Sequence, residues 1–600
     1  MLFRTVTKVC WNLMTVALIL FSNTTLSAAG EKSFSIEIDS QEAEYTIDVQ
    51  GTANPENIEI VIENLGAVAV ESPRITVNGK YDWFDMESMV GEITAGCTTD
   101  EEKAMAIWQW VHWKRFQRSP FDRSSLHPVR AMNGYGYGIC GHTAAWLKAL
   151  FTQAGLKARV QEIWGHTISE VYFDGGWHMV DGNVKVFYLG RDNRTIASLA
   201  ELEQDGWLIE RTIHPRDPWV RQDDSPGRNK EFVRYIVTSG DNFEEHSYDS
   251  EIKKTYTMGY SLKPGEKLER WWQPVLEKFE GRSQRAKVPQ KYANGRLSWE
   301  PDLAKIDILD YLNVIENVTT SHQDGVAPAI HVAELQNDNY TRAARFTIPV
   351  KSAYPVVGGK FYCTLRKDQG ASAQVFYGTP AWSNANLHSF RWGFGQQNVE
   401  LYLDNFILDD SSHYGYEIGF TIAGNGRNGR SAQAGVEKFK SVTDLQVSPH
   451  SLPALSLGRN VIRYRDSSPS QGRKVRITHR WKEAEGNSPP KRIIHSEQPA
   501  GGQTVATLAP VLRWKSAGDP DGVSDVTDYQ VMVSLRPDCR WPVSMSLYRN
   551  VGSAESQWQV PDSFLNPATS YYWRVRARDT SGAVGEWGDV FSFETAADAR

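Results

Sequence analysis

A chain of 600 residues, 40% hydrophobic and 23% charged, has the composition of a soluble globular protein of about four domains. Its net charge of −7 argues against nucleic acid or an anionic membrane as partner, since either calls for a basic face. Five cysteines are too few for a disulfide scaffold, and without Cys-x-x-Cys or His-Glu-x-x-His neither a metal site nor a cofactor is expected.

Arg4 and Lys8 precede a mostly apolar run from Val9 to Phe21, and Leu26-Ser27-Ala28 supplies small residues for cleavage. This is the pattern of a signal peptide over 1–28. The run is shorter than the ~20 residues a spanning helix needs, so no transmembrane anchor is expected. The chain is therefore expected to be secreted or periplasmic. Cys10 leaves with the signal, and Cys97, Cys140, Cys363 and Cys539 remain. Cys363, inside the strand-like KFYCTL, reads as a small buried hydrophobe.

Between 33 and 92 short alternating segments such as SFSIEID and IEIVIENL are punctuated by Asn, Gly and Pro, which predicts an N-terminal β-rich annex. A helix is predicted over 98–116. Thr98-x-x-Glu101 is a capping box, and Ala104, Ile107, Trp108 and Val111 form its apolar face. Trp108, Trp110 and Trp113 read as core packing.

The stretch from Tyr135 to Asn183 carries the chemistry. Ala144, Leu147, Phe151 and Ala154 recur at helical spacing, and Gly155 is a C-terminal stop. Cys140 then sits at the helix N-terminus, where unpaired N–H groups and the macrodipole favour a thiolate. Gly138 and Gly141 leave the backbone around the sulfur uncluttered. Two strands follow, joined at Asp174-Gly175, a favoured type I′ pair. That loop sets Phe173 opposite Gly176, Ile168 opposite Asp181 and His166 opposite Asn183. His166, Ile168 and Asp181 then share a face, so the carboxylate can orient the imidazole. A three-residue loop would separate them. His142 and His178 fit the base role less well, the first by helix position and the second by strand parity.

Gly138-Ile139-Cys140, Gly165-His166 with Glu170-Val171, and Gly175-Gly176-Trp177 ending at Asp181 resemble, in order and spacing, the motifs of the transglutaminase-like superfamily, a papain-like group. The chain has Ile168 where many relatives carry an aromatic. The resemblance implies that Cys140 is the nucleophile, His166 the general base and acid, and Asp181 the orienting group, in a domain over 97–216. The oxyanion hole is expected to use the Cys140 backbone N–H, with Asn133, Tyr135 or Tyr137 as second donor.

Residues 217–325 mix turn and strand character and form a connecting region of uncertain fold. Trp271 and Trp272 there read as buried, with sugar stacking as the alternative. Strands dominate 326–484 at sandwich-like spacing, and 485–491 is a polar linker. Over 492–597, Leu565-x-Pro567-x-Thr569-x-Tyr571-x-Trp573-x-Val575-x-Ala577 with Trp514 upstream resembles the fibronectin type III signature, a spacing or binding module. Asn193, Asn317 and Asn339 match the glycosylation sequon.

The expected fold class is multidomain α+β: a papain-like, transglutaminase-like core flanked by β-sandwich domains, the last fibronectin type III-like. The expected function is cysteine-dependent acyl transfer on an amide or peptide bond of a protein, peptide or glycopeptide, through a thioester, with hydrolysis favoured over transamidation. The alternative is a catalytically silent protein that binds polysaccharide or a cell surface through its sandwiches.

Overall fold

A computed structural model describes residues 30–600 except 114–115, 118–119, 121, 213, 218–220, 224–231, 235, 237–243, 246, 279–290, 322–328, 335–342, 379–385, 408–412, 428–429, 470, 523–524 and 553–554. The signal expected over 1–28 and the sequon at Asn339 lie outside the described residues. Among the described residues, no helix is long and apolar enough to cross a membrane.

The first strands alternate as their sequence requires, but their partners lie some four hundred residues downstream. Glu31–Ile38 and Glu56–Asn64 pair antiparallel with the two edges of Val475–Lys482, and Glu42–Val49 pairs with Gly458–Arg465. Ile36 and Ile62 both face Ile477, so one apolar row fixes the register. On the outer face the same strand carries Arg476 between Glu37 and Glu63, and Arg480 between Glu31 and Glu59. Between the layers the Tyr45 hydroxyl meets His479 Nε2 at 2.9 Å. The annex expected over 33–92 is thus not a closed unit. Its alternating strands have unpaired edges, and a segment expected to belong to the 326–484 sandwich fills them.

The sheet does not stop there. Glu56–Asn64 pairs with Glu266–Trp271, which pairs with Gly295–Trp299, then Ala434–Leu445, then the 24-residue strand Ala344–Lys367. The region over 217–325 therefore supplies the bridging strands that fuse the two sandwiches into one sheet. Trp271 lies on such a strand, and Trp272 packs against the core.

The helical layer starts at α1 (Met86–Ile93) and continues with α2 (Asp100–Trp113), the single turn α3 (Pro128–Arg130) and α4 (Cys140–Gln153). The α2 capping box lies one residue later than expected. Thr99 Oγ1 accepts from the Glu102 N–H, and Glu102 Oε2 accepts from the N–H groups of Thr98 and Thr99. The adjacent threonines make the two frames equivalent in sequence. Helix α4 ends as its pattern requires, with Gly155 at φ 86°. Its Trp146, Leu147, Leu150 and Phe151 are fully buried. A sheet ordered Val186–Phe187, Gly176–Asp181, His166–Phe173, Lys157–Ile163, Glu244–Glu245 packs against it. The last strand comes from beyond residue 216, so the chain returns to this unit after leaving the expected domain boundary.

The C-terminal module closes on Trp514, Tyr529, Tyr571 and Trp573, all fully buried. It is docked against the helices. Arg536 Nη1 lies 2.6 Å from Glu102 Oε1, Gln109 Nε2 donates to the Arg540 carbonyl, and Arg540 Nη2 donates to the Ile93 carbonyl at the end of α1. The half-buried Asn193 amide reaches the module too, donating toward Leu565 and Asn566 and accepting from Arg211. Residues of the 485–491 linker are tied down too: Asn487 Nδ2 donates to Asp579, and the Lys491 N–H to Gly518.

Arg540 acts as a cationic cap on the α1 carbonyls. Arg540→Ala is expected to lower stability by about 1–3 kcal/mol, as a charged hydrogen bond is lost at a part-buried interface. Truncation after residue 489 should lower the melting temperature further, because it also uncovers α2. Calorimetry of both variants beside the full chain checks this, and an unchanged melting temperature after truncation would show that the docked face contributes nothing.

Candidate active site

The hairpin sets the geometry. Asp174 and Gly175 both adopt positive φ, 47° and 83°, as a type I′ turn demands. The resulting register pairs Phe173 with Gly176, Val171 with His178 and Ser169 with Val180. It brings His166 and Asp181 onto one face, with His166 Nε2 2.6 Å from Asp181 Oδ2. The other carboxylate oxygen accepts from the N–H groups of Asn183 at 2.6 Å and Val184 at 2.9 Å. Trp108 Nε1 donates to the Asp181 carbonyl at 3.0 Å. Trp108 is thus core packing and a positioning group at once, a dual role its helical periodicity does not show.

With Nε2 on Asp181, the other ring nitrogen of His166 is the one left for Cys140, and the two side chains are hydrogen-bonded. The sulfur also receives the backbone N–H groups of Gly141 and Thr167. Cys140 is the first residue of α4, whose N-cap Ile139 offers no side-chain acceptor to the helix start. Burial disfavours charge on all three side chains. At His166 the charge and hydrogen bond of Asp181 outweigh it, and the ring is pushed up to about 10. Burial also opposes the thiolate, but the His166 hydrogen bond and charge hold Cys140 below the ordinary thiol value. Asp181 is fully buried, yet His166 and the two backbone N–H groups keep it below the usual carboxylate range. The arrangement therefore favours the charged imidazole at His166 and draws the Cys140 thiol toward its thiolate.

The remaining sequence candidates serve the scaffold. Asn133 donates both amide hydrogens to carbonyls, of Trp83 and Val129. The Tyr135 hydroxyl donates to Asp122 Oδ2, which also accepts from Tyr414 of the sandwich. The Tyr137 hydroxyl accepts from Gln446 Nε2, which also reaches the Gly134 carbonyl. The Ser448 N–H donates to the Asn133 carbonyl at 2.7 Å. Of the second oxyanion donors expected from Asn133, Tyr135 or Tyr137, the first two have their side-chain hydrogens on Trp83, Val129 and Asp122, and the Tyr137 hydroxyl faces Gln446 of the neighbouring sandwich. His142 packs edge-on to Trp146, and burial pushes its ring down to about 4. His178 lies between the carbonyls of Phe173 and Ile196 and stacks on Phe173. Glu170, fully buried, takes Arg159 at 2.6 Å and the Leu199 N–H, tying the hairpin to the next segment.

Sequence reasoning missed two neighbours of the triad. The Tyr248 hydroxyl sits 2.6 Å from where a Cβ on Gly141 would be, so any side chain there would displace it. Burial, then the charge on Cys140, raise its pKa. Phe232 packs edge-on against the His166 ring at 5.5 Å. Both come from the region beyond 216, which carries no motif. Among the described residues, no group of three or more His, Cys, Asp or Glu is placed to hold a metal ion.

Residues 87–182 match the family model of the transglutaminase-like superfamily. The chain carries a transglutaminase-like domain. Residues 493–598 match the model of the Rha78A-like N-terminal immunoglobulin domain, and the fibronectin type III-like signature lies in this module. A comparison with curated proteins finds no match. Among solved structures, a β-1,2-glucanase from Parabacteroides distasonis is 10% identical, covers 48% of this chain and 37% of its own, and gives a TM-score of 0.13. The first three fibronectin-type domains of chicken CNTN1 are 11% identical over 48% of this chain and 67% of theirs, with a TM-score of 0.14. Overlap this small carries no argument. The transglutaminase-like domain begins at α1 and ends one residue beyond Asp181.

A depressed thiol pKa means that the reactive thiolate persists below pH ~8.5 and is lost only as pH falls through the lowered value. Alkylation of Cys140 by iodoacetamide, followed by peptide mapping, should rise with pH earlier than an ordinary thiol does. In His166→Ala the rate should climb only as pH passes the ordinary thiol range. A parent profile that rises only there would remove the depressed thiol from this account.

Proposed function

We propose that this chain is an exported cysteine-dependent acyl-transfer enzyme acting on an amide or peptide bond through Cys140, His166 and Asp181. One observation carries the reading: an unbroken hydrogen-bonded series from a buried, fully partnered carboxylate through an imidazole to a thiol at a helix start, inside a transglutaminase-like domain. The helix-against-sheet arrangement around it suits a papain-like core.

The Cys140 thiolate attacks the substrate carbonyl carbon and its π electrons move to oxygen. The Cys140 backbone N–H, among the helix-start donors without an intrahelical partner, faces the growing oxyanion. Tyr248, against Gly141, is the further polar group the cleft offers. His166, charged at the outset, gives its proton to the leaving nitrogen as the C–N bond breaks, which leaves a thioester and a neutral ring. That ring then takes a proton from water as it attacks the thioester, and Cys140 departs as thiolate. An amine in place of water completes transamidation, but water is present in any open cleft, so hydrolysis is favoured. Asp181 stays ionised and holds the ring in one orientation throughout.

The rival reading, a silent binder of polysaccharide or a cell surface, has one observation of its own. Trp392 and Phe394 are 90% and 74% exposed on a turn of the sandwich, and aromatic faces of this kind stack on sugars.

Incubation of the full chain with an amide and peptide library, followed by intact-mass analysis, tests the choice. An acyl adduct on Cys140 that turns over in the parent, accumulates or forms at least 100-fold more slowly in Asp181→Asn and is absent in Cys140→Ala is the expected result. Full thiol reactivity with no adduct from any library member, alongside retention on an insoluble polysaccharide that Trp392→Ala abolishes, would favour the binder.

A further inference from the structure

Where the C-terminal module meets α2 there is a cleft of about 300 Å³. Trp108 and His112 of α2 form one wall, and Arg540, Arg574, Arg576 and Trp587 of the module line the other. None of the residues lining it is acidic.

The cross-strand partners of these arginines make the point. Arg574, Arg576 and Arg578 lie at alternate positions of one strand and so share a face. Opposite Arg578 stands Asp528, and the two form a bidentate ion pair. Opposite Arg576 stands Gln530, whose neutral Oε1 accepts from Nε at 2.9 Å. Opposite Arg574 stands Met532. Toward the cleft the partner therefore changes from carboxylate to amide to thioether. Arg576 also meets the Tyr548 hydroxyl, and Arg574 Nε is buried with no hydrogen-bond partner. Both guanidinium groups lie against the one Trp587 ring, 4.6 and 4.5 Å from its centre. Burial pushes both below the ordinary guanidinium pKa. Asp538, whose field reaches Arg574, is itself held bidentately by Arg536. Half-buried guanidinium groups whose cross-strand partners are neutral have lost part of their hydration, and an anion entering the cleft offsets that loss.

We propose that this cleft binds a small oxyanion-bearing ligand, a carboxylate or phosphate group on a body about the size of one sugar ring. Guanidinium forks match either group in bidentate geometry, and the volume admits a monosaccharide acid. The cleft shares Trp108 with the support of Asp181, but the proposed ligand binds the arginines of the module and takes no part in the thiol chemistry.

Sodium glucuronate and inorganic phosphate are titrated separately into the full chain at ionic strength held constant with sodium chloride, and the melting temperature is followed. A ligand that binds the folded chain raises it by mass action, so a saturable rise with at least one of the two is expected, and which one responds identifies the group. In Arg574→Gln/Arg576→Gln the concentration needed for half the rise should increase at least about tenfold. Met532→Glu places a carboxylate opposite Arg574, and should raise the melting temperature without ligand while abolishing the ligand-dependent rise. No saturable rise with either anion, or a rise that survives both variants, would overturn the proposal.

Discussion

The hydrogen bond between His166 and Asp181 is the constraint on which the site depends. A carboxylate with 1% exposure survives as an anion only if its oxygens are hydrogen-bonded, and here two backbone N–H groups meet one oxygen and the imidazole the other. The partner it charges, His166, in turn lowers the pKa of the thiol. The depressed thiol is therefore a consequence of how Asp181 is buried, and everything that fixes Asp181 acts on Cys140 at one remove. Trp108 fixes its carbonyl from a different helix, and the type I′ turn fixes the strand it ends.

The loop before the nucleophile is a second constraint. Asn133 and Tyr135 are held by Trp83, Val129 and Asp122, and the same loop is held from the neighbouring sandwich and its connecting turn by Gln446 and Ser448, with Tyr414 sharing Asp122. Gly136, at φ 70° with Ser448 Oγ 2.5 Å from where its Cβ would be, leaves no room for a side chain at that contact. The sandwich is thus part of the scaffold that presents Cys140.

What the sequence made legible was local. Asp174-Gly175 dictated its turn, the turn dictated a register, and the register brought together His166 and Asp181 because side chains alternate along a strand. Gly155 ended its helix for the same kind of reason. What stayed hidden was long-range. Nothing in IEIVIENL names Val475–Lys482 as its neighbour, since any strand with Ile at the matching parity would satisfy the pattern. Tyr248 and Phe232 reach the site from a stretch without periodicity, and the packing that places them is not encoded in their own surroundings. Asn133 and Tyr135 looked like donors for an oxyanion because polar residues near a nucleophile invite that reading, whereas their hydrogen bonds are taken by Trp83, Val129 and Asp122.

The central position of Val475–Lys482 between Glu31–Ile38 and Glu56–Asn64 has a consequence for the order of assembly. During synthesis the first strands emerge with open hydrogen-bonding edges, and their partner follows only after the whole transglutaminase-like unit has been made. Loop closure over such a separation is slow, and strands left waiting are prone to pair with another chain. Glu31, Glu37, Glu59 and Glu63 on the waiting strands supply like charge that discourages such mispairing until Arg476 and Arg480 arrive to meet them. Closing this sheet is then the late step of maturation, and a chain stalled before residue 475 would hold a complete Cys140 unit in an open, aggregation-prone frame.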